Sequence, residues 1–159
     1  MVDFIAHAAL SWISFHKYTK KIIYSSIFFG WFPDIFSWFF LFLFQIYMGT
    51  FKISNFGWGG FVPDWSMLLY GISHSLIIFG IVCFFLIIFT KKIPVYLFAW
   101  PIHILIDIPT HSRAHLPTPF LWPLSNWAFP GLRWSTVKVT SMVWVGLLFL
   151  ILITYFYIQ

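Results

Sequence analysis

His103 and Asp107 stand four residues apart inside an apolar run. On a helix that spacing turns both side chains to one face, about 6 Å apart along the axis. The pair offers one nitrogen and one oxygen to a single divalent cation, although a hydrogen-bonded histidine and aspartate has the same spacing. In a bilayer the balance shifts, because an unpaired carboxylate at mid-depth costs about 2.5–3.5 kcal/mol on insertion scales and a cationic partner relieves that cost. His7, Asp34 and His74 also lie in or beside apolar runs. The chain has no glutamate; its four acids are Asp3, Asp34, Asp64 and Asp107, against six histidines. Three histidines (His7, His74, His103) and two carboxylates (Asp34, Asp107) form a ligand set without thiolate. Such a set suits zinc first, and also manganese or iron. Five ligands exceed the needs of one open catalytic zinc. They suit two ions sharing Asp107 as a bridge, an arrangement that activates a water and stabilises attacking and leaving oxygens.

The elements that must position these residues are those of a membrane protein. Of 159 residues, 61% are hydrophobic, 25% aromatic and only 8% charged. A soluble domain carries about 25% charged residues. The 22 Phe and 10 Trp exceed what so small a water-soluble core could hide. The apolar stretches are continuous rather than alternating, which indicates an all-α polytopic membrane protein and excludes a barrel. The net charge of +5 comes largely from lysines flanking apolar runs (Lys17, Lys20, Lys21, Lys91, Lys92). Such cations anchor helices at headgroups, so the expected partner is the lipid bilayer and not nucleic acid. Cys83 is the single cysteine and excludes an internal disulfide. Asp3 stands where a secretory signal has basic residues, and no small-residue cleavage pattern follows, so no cleavable signal peptide is expected.

Along the chain, residues 4–15 predict a short helix that tucks against the bundle or lies in the interface. Four spans follow: Ile22–Met48, Trp65–Phe89, Pro94–Ile108 and Val137–Ile158. The first is expected to kink or split at Pro33-Asp34. Residues 49–64 have loop composition, with Gly49, Asn55, Gly57, Gly59, Gly60 and Pro63, and Asp64 is a candidate cap for the second span. Residues 109–135 form a long proline- and aromatic-rich loop, in which Trp122, Trp127 and Trp134 suit an interfacial belt. The whole chain, 1–159, is read as a single domain. At 1.5 Å per residue, three antiparallel spans place Asp34, His74, His103 and Asp107 at similar depth near mid-membrane. His7 joins them only if its short helix folds back. The lysine distribution favours both termini on the cytoplasmic side, with Lys52, Arg113 and Arg133 opposite.

Several elements stand in a recognisable order: Asp3-Phe-Ile-Ala-His7, Gly30-Trp-Phe-Pro33-Asp34, Ser73-His74-Ser75, His103-Ile-Leu-Ile-Asp107, then Thr110-His111-Ser112 and Phe120-Leu-Trp-Pro123-Leu. This order resembles the bacterial inner-membrane metal-dependent hydrolases. More distantly it is similar to the zinc-dependent phospholipases C and single-strand-specific zinc nucleases, which are all-helical. The resemblance implies that Asp34, His74, His103 and Asp107 hold one zinc, and that His7 and Asp107 help hold a second. The downstream His-x-x-x-Glu of the soluble enzymes is missing, and Leu69-Tyr70 stands where the membrane family often has His-Arg.

The expected function is metal-dependent hydrolysis of a phosphoester or other polar bond in a lipid-derived substrate, through metal-activated water. Asp107 would be central to it. His111 and His115 are candidates for substrate-contacting or outer groups. Arg113 and Arg133 are candidates either to grip a phosphate or to anchor the loop at headgroups. The alternatives are a metal or proton transport element, since ionisable residues in spans also mark ion paths, and a non-enzymatic membrane protein with a structural metal.

Overall fold

In the computed structural model, residues 3–51 and 62–157 are described. They form helices α1 (Asp3–Phe15), α2 (Lys20–Tyr47), α3 (Asp64–Ser73), α4 (Leu76–Thr90), α5 (Ala99–Thr110) and α6 (Val137–Tyr157), with a 3-10 turn at Val95–Phe98 before α5. No strand occurs among the described residues. Two helices, α2 and α6, are long and apolar enough to cross a bilayer, and α3 with α4 makes a third candidate if the bent pair is one span. Their outward faces carry large apolar side chains such as Phe39, Leu43, Phe84, Phe89, Phe149 and Phe156. Hydrocarbon accommodates such faces; water does not.

Three expectations change. Of the kink or split expected at Pro33, the split does not occur: α2 is one 28-residue helix with Pro33 inside it. Proline removes a single ladder donor, and in a tightly packed helix its neighbours tolerate that loss. The run Trp65–Phe89 is broken instead, bending by 58° between α3 and α4. The run Pro94–Ile108 becomes the 3-10 turn plus the 12-residue α5. Sixteen residues at 1.5–2.0 Å each reach about 25–27 Å, short of a ~30 Å hydrocarbon layer. Asp64 occupies the first turn of α3, but Pro63 holds the cap position and no side chain caps the helix. Asn55, Gly57, Gly59, Gly60 and Lys52 lie outside the described residues. Gly49, at φ 65°, closes α2, and its N–H donates to Ile46 O (3.0 Å).

The break at His74-Ser75 is held by specific bonds. Ser75 Oγ caps α4, accepting from Ile77 N and Ile78 N (both 3.1 Å). The Ser75 hydroxyl donates to Trp122 O. Leu76 N donates to Phe120 O at 2.9 Å. On the α3 side, Trp100 Nε1 donates to Ser73 O at 2.6 Å. The proline-aromatic segment therefore serves as the plug that satisfies a broken helix. Trp122 packs its ring over Gly71, where an added Cβ would lie 3.4 Å from the ring.

The core sits between α2, α4 and α5. Leu97, Trp100 and Ile104 are its buried centre, with Phe29, Phe32, Leu76, Phe79 and Leu86 around them. The short α1 does fold back. Trp31 Nε1 donates to Phe4 O, tying α2 to α1. Gly30 is the contact point: a Cβ there would collide with Ser11 Oγ and lie 3.4 Å from His7 O. Small residues at such crossings let helices approach within backbone contact.

Gly30→Ala is expected to loosen α1, at a cost on the order of 1–3 kcal/mol for overpacking. Thermal unfolding in detergent would show a lowered midpoint, and Ser11→Gly in the same chain would restore most of it. An unchanged midpoint in Gly30→Ala would refute the tight crossing.

Candidate metal centre

Five ionisable side chains from four helices meet at one point. Asp34 comes from α2, His74 from the α3 end, His103 and Asp107 from α5, and His7 from α1. His103 Nε2 lies 3.0 Å from Asp107 Oδ2 and 3.9 Å from Asp34 Oδ1. His74 Nε2 lies 3.4 Å from Asp107 Oδ2, 3.5 Å from Asp34 Oδ1 and 3.3 Å from His103 Nε2. Asp107 turns its other oxygen the opposite way: Oδ1 is 3.3 Å from His7 Nε2 and 3.5 Å from His111 Nδ1. His7 also stacks on His103, ring centroids 3.7 Å apart. The ligand atoms of His74, His103 and Asp107, and separately those of His7, Asp34 and His103, lie within 4.8 Å of one another. The cluster is dry: His74 is 0% exposed, His103 1%, Asp107 2% and His7 3%. Only the Asp34 side chain, at 14%, reaches the surface.

Second contacts decide which ring nitrogens face inward. His103 Nδ1 donates to Gly30 O at 2.7 Å, which leaves the Nε2 lone pair pointing at the cluster. His74 Nδ1 faces Ser73 Oγ at 2.9 Å and Tyr70 O at 3.2 Å. Ser37 Oγ donates to Pro33 O at 2.7 Å and Ser73 Oγ donates to Tyr70 O at 3.3 Å, the two hydroxyls lying 2.7 Å apart. With its proton on that carbonyl, Ser73 Oγ accepts from His74 Nδ1–H. The serine relay thus also leaves the Nε2 lone pair of His74 inward. Two imidazole lone pairs 3.3 Å apart, facing two carboxylates in a dry interior, are all acceptors. Without positive charge among them they repel.

Protons or a metal ion could supply that charge. Charge-assisted N–H···O bonds are about 2.7–2.9 Å long, and ligands about 2.0–2.1 Å from a tetrahedral zinc are about 3.3–3.4 Å from each other. The five separations around His74 and His103 run from 3.0 to 3.9 Å, three of them at 3.3–3.5 Å. The donor set and its spacing could hold a divalent cation.

The expected site residues fall into two groups. His7, Asp34, His74, His103 and Asp107 come together. His111 joins them from the loop, buried, with Nδ1 donating to Asp107 O at 3.0 Å. Arg113 is engaged elsewhere: Nε donates to Ala128 O, and the guanidinium lies 5.4 Å from the Trp127 ring. Arg133 Nε donates to Ser135 Oγ at 2.8 Å on the exposed loop. Burial, with Arg133 and His111 close by, pushes the His115 imidazole down from its ordinary value. Trp134 lies beside His111, ring centroids 6.2 Å apart. Sequence reasoning did not assign Ser37, Ser73, Gly30 or Trp100. The available signal was serine at 37, one turn after Pro33, and serine at 73 before His74, both inside apolar runs.

Comparison of the chain with protein-family models, with curated proteins and with solved structures finds no match.

Ser73→Ala is expected to weaken zinc binding about 10–100-fold, the usual effect of removing a ligand's outer partner. Competitive titration with a chromogenic chelator measures it. Affinity equal to the parent protein would show that the serine relay does not set the His74 tautomer.

Proposed function

We propose that the protein is a membrane-embedded metal-dependent hydrolase acting on a phosphoester or other polar bond of a lipid-derived substrate. The observation that carries this reading is the inward-facing acceptor set of His74, His103, Asp34 and Asp107 at cation-ligand spacing. Zinc is the first choice of ion, with one or two bound. A cation there would supply Lewis-acid chemistry and lower the pKa of a coordinated water. Asp107 would be the carboxylate shared between two ions, with one oxygen toward His74 and His103 and the other toward His7 and His111. With a single ion on the His74–His103 side, the oxygen facing His7 and His111 would be free to take a proton from water, with His111 holding the carboxylate in position. Asp34, the ligand with residual exposure, marks the side from which a substrate would arrive. Arg113 and Arg133, on the loop surface, suit an anionic headgroup. The order of motifs in the sequence, which resembles the bacterial inner-membrane hydrolases, supports the same reaction class and that membrane. With α2 and the bent α3–α4 pair each crossing once, Lys17, Lys20, Lys21, Lys91 and Lys92 would share one side, the cytoplasmic one by the positive-inside tendency.

The near-complete burial of the histidines favours one second reading, a structural metal that staples α2, α3 and α5. Structural sites are closed and catalytic ones keep an open position.

The two readings separate in one set of measurements. Purified protein is expected to carry at least one equivalent of zinc by elemental mass spectrometry. It should hydrolyse phospholipid or phosphodiester substrates presented in mixed micelles. Asp107→Asn and His103→Ala should each lower that rate at least 100-fold. Bound metal with no turnover on any such substrate would leave the structural reading; absence of stoichiometric metal after zinc supplementation would end both.

A further inference from the structure

A small cavity of about 10 Å³ is lined by His7 and Ala6 of α1, Ile106 and Thr110 of α5, Trp134 of the loop, and Thr140 and Val143 of α6. That is about the room one water molecule requires. Two buried nitrogens of its lining residues, His7 Nδ1 and Trp134 Nε1, have no hydrogen-bond partner among the described residues. His7 is 3% exposed, so the unmet nitrogen is well shielded from solvent. Leaving such groups unpaired costs on the order of 1–3 kcal/mol each.

The hydrogen-bond inventory of the lining identifies the occupant. Trp134 Nε1–H can only donate. Thr110 Oγ1 donates to Ile106 O at 2.8 Å, and Thr140 Oγ1 donates to Trp134 O at 2.7 Å. Both hydroxyl protons are committed, so both hydroxyl oxygens offer lone pairs only. With the His7 proton on Nδ1 the lining presents two donors and two acceptors; with it on Nε2, 3.3 Å from Asp107 Oδ1, it presents one donor and three acceptors. A water molecule, which accepts two bonds and donates two, is the full complement of the first set. A phosphate or carboxylate oxygen, which only accepts, would meet two hydroxyl lone pairs with nothing to give them.

We propose that this cavity is a built site for one water molecule, held by Trp134, Thr110 and Thr140, that keeps the proton of His7 on Nδ1. The Nε2 lone pair then faces Asp107 and a cation, as the Gly30 carbonyl ensures for His103 and the serine relay for His74. Trp134 and the two threonines are positioning residues acting through this water. The water site stands on the cavity and its lining alone; its role for His7 rests on the metal-centre reading above. Trp134 lies on the loop and Thr140 on α6. The site therefore couples those two elements to the innermost ligand of α1.

The test uses the full chain in detergent micelles or nanodiscs, with ¹⁵N-labelled histidine and tryptophan. The Trp134 indole N–H should show a cross-relaxation signal to a long-lived bound water. The His7 nitrogens should report the Nδ1–H form when zinc is present. Trp134→Phe keeps the ring and removes the donor. It should weaken one zinc equivalent about 10–100-fold and shift the His7 nitrogens away from the Nδ1–H form, while the equivalent that depends on His74 keeps its affinity. Thr140→Val serves as the second variant if Trp134→Phe does not fold, with the same expected outcome for zinc. No water signal at the parent indole, or an indole resonance that moves on titration with inorganic phosphate, would overturn the site. An unchanged His7 tautomer and unchanged zinc affinity in both variants would overturn its role. Absent hydrolysis with the water signal and two zinc equivalents intact would count against the hydrolase reading alone.

Discussion

The constraint on which this molecule depends is the convergence of hydrogen-bond acceptors in a place with almost no water. Asp34, Asp107 and the Nε2 lone pairs of His74 and His103 meet at 3.0–3.9 Å. Both imidazoles are turned inward because their outer nitrogens are already bonded. Such a cluster cannot be stable by itself, since burying uncompensated negative charge costs several kcal/mol even after relaxation. Positive charge must sit among these atoms, and the fold reads as the apparatus that holds them ready for it.

That apparatus explains departures from regular helix geometry. The α3–α4 break frees the backbone next to His74, and Trp100, Trp122 and Phe120 satisfy what the break exposes. A continuous helix through residues 73–76 would carry Ser73 O and Leu76 N in its own ladder and leave these anchors without partners. Non-helical backbone at membrane depth is tolerated only where protein covers it, and the 119–124 segment supplies the cover. The loop thus contributes to the centre twice, by closing the break and by bringing His111 to Asp107.

The short first helix is the other contributor. It is too short to cross a bilayer, yet it delivers a buried histidine to the far oxygen of Asp107. The absence of a side chain at Gly30 permits this. It lets α1 press against α2 at the level where the Gly30 carbonyl also receives His103. One glycine therefore sets both the approach of a helix and the orientation of a ligand on another.

From the sequence alone came the helical membrane class, the short leading helix, the long loop after residue 109 and the residues that gather. Apolar continuity is a local property, and the depth of Asp34, His74, His103 and Asp107 follows from a constant rise along antiparallel rods. The tautomers of His74 and His103, the unbroken passage of α2 through Pro33, the bend at His74-Ser75 and the roles of Ser37, Trp122 and Trp134 were decided only by tertiary structure. Each depends on which distant carbonyl, hydroxyl or ring comes to lie beside the residue. No spacing along one helix can specify a partner on another.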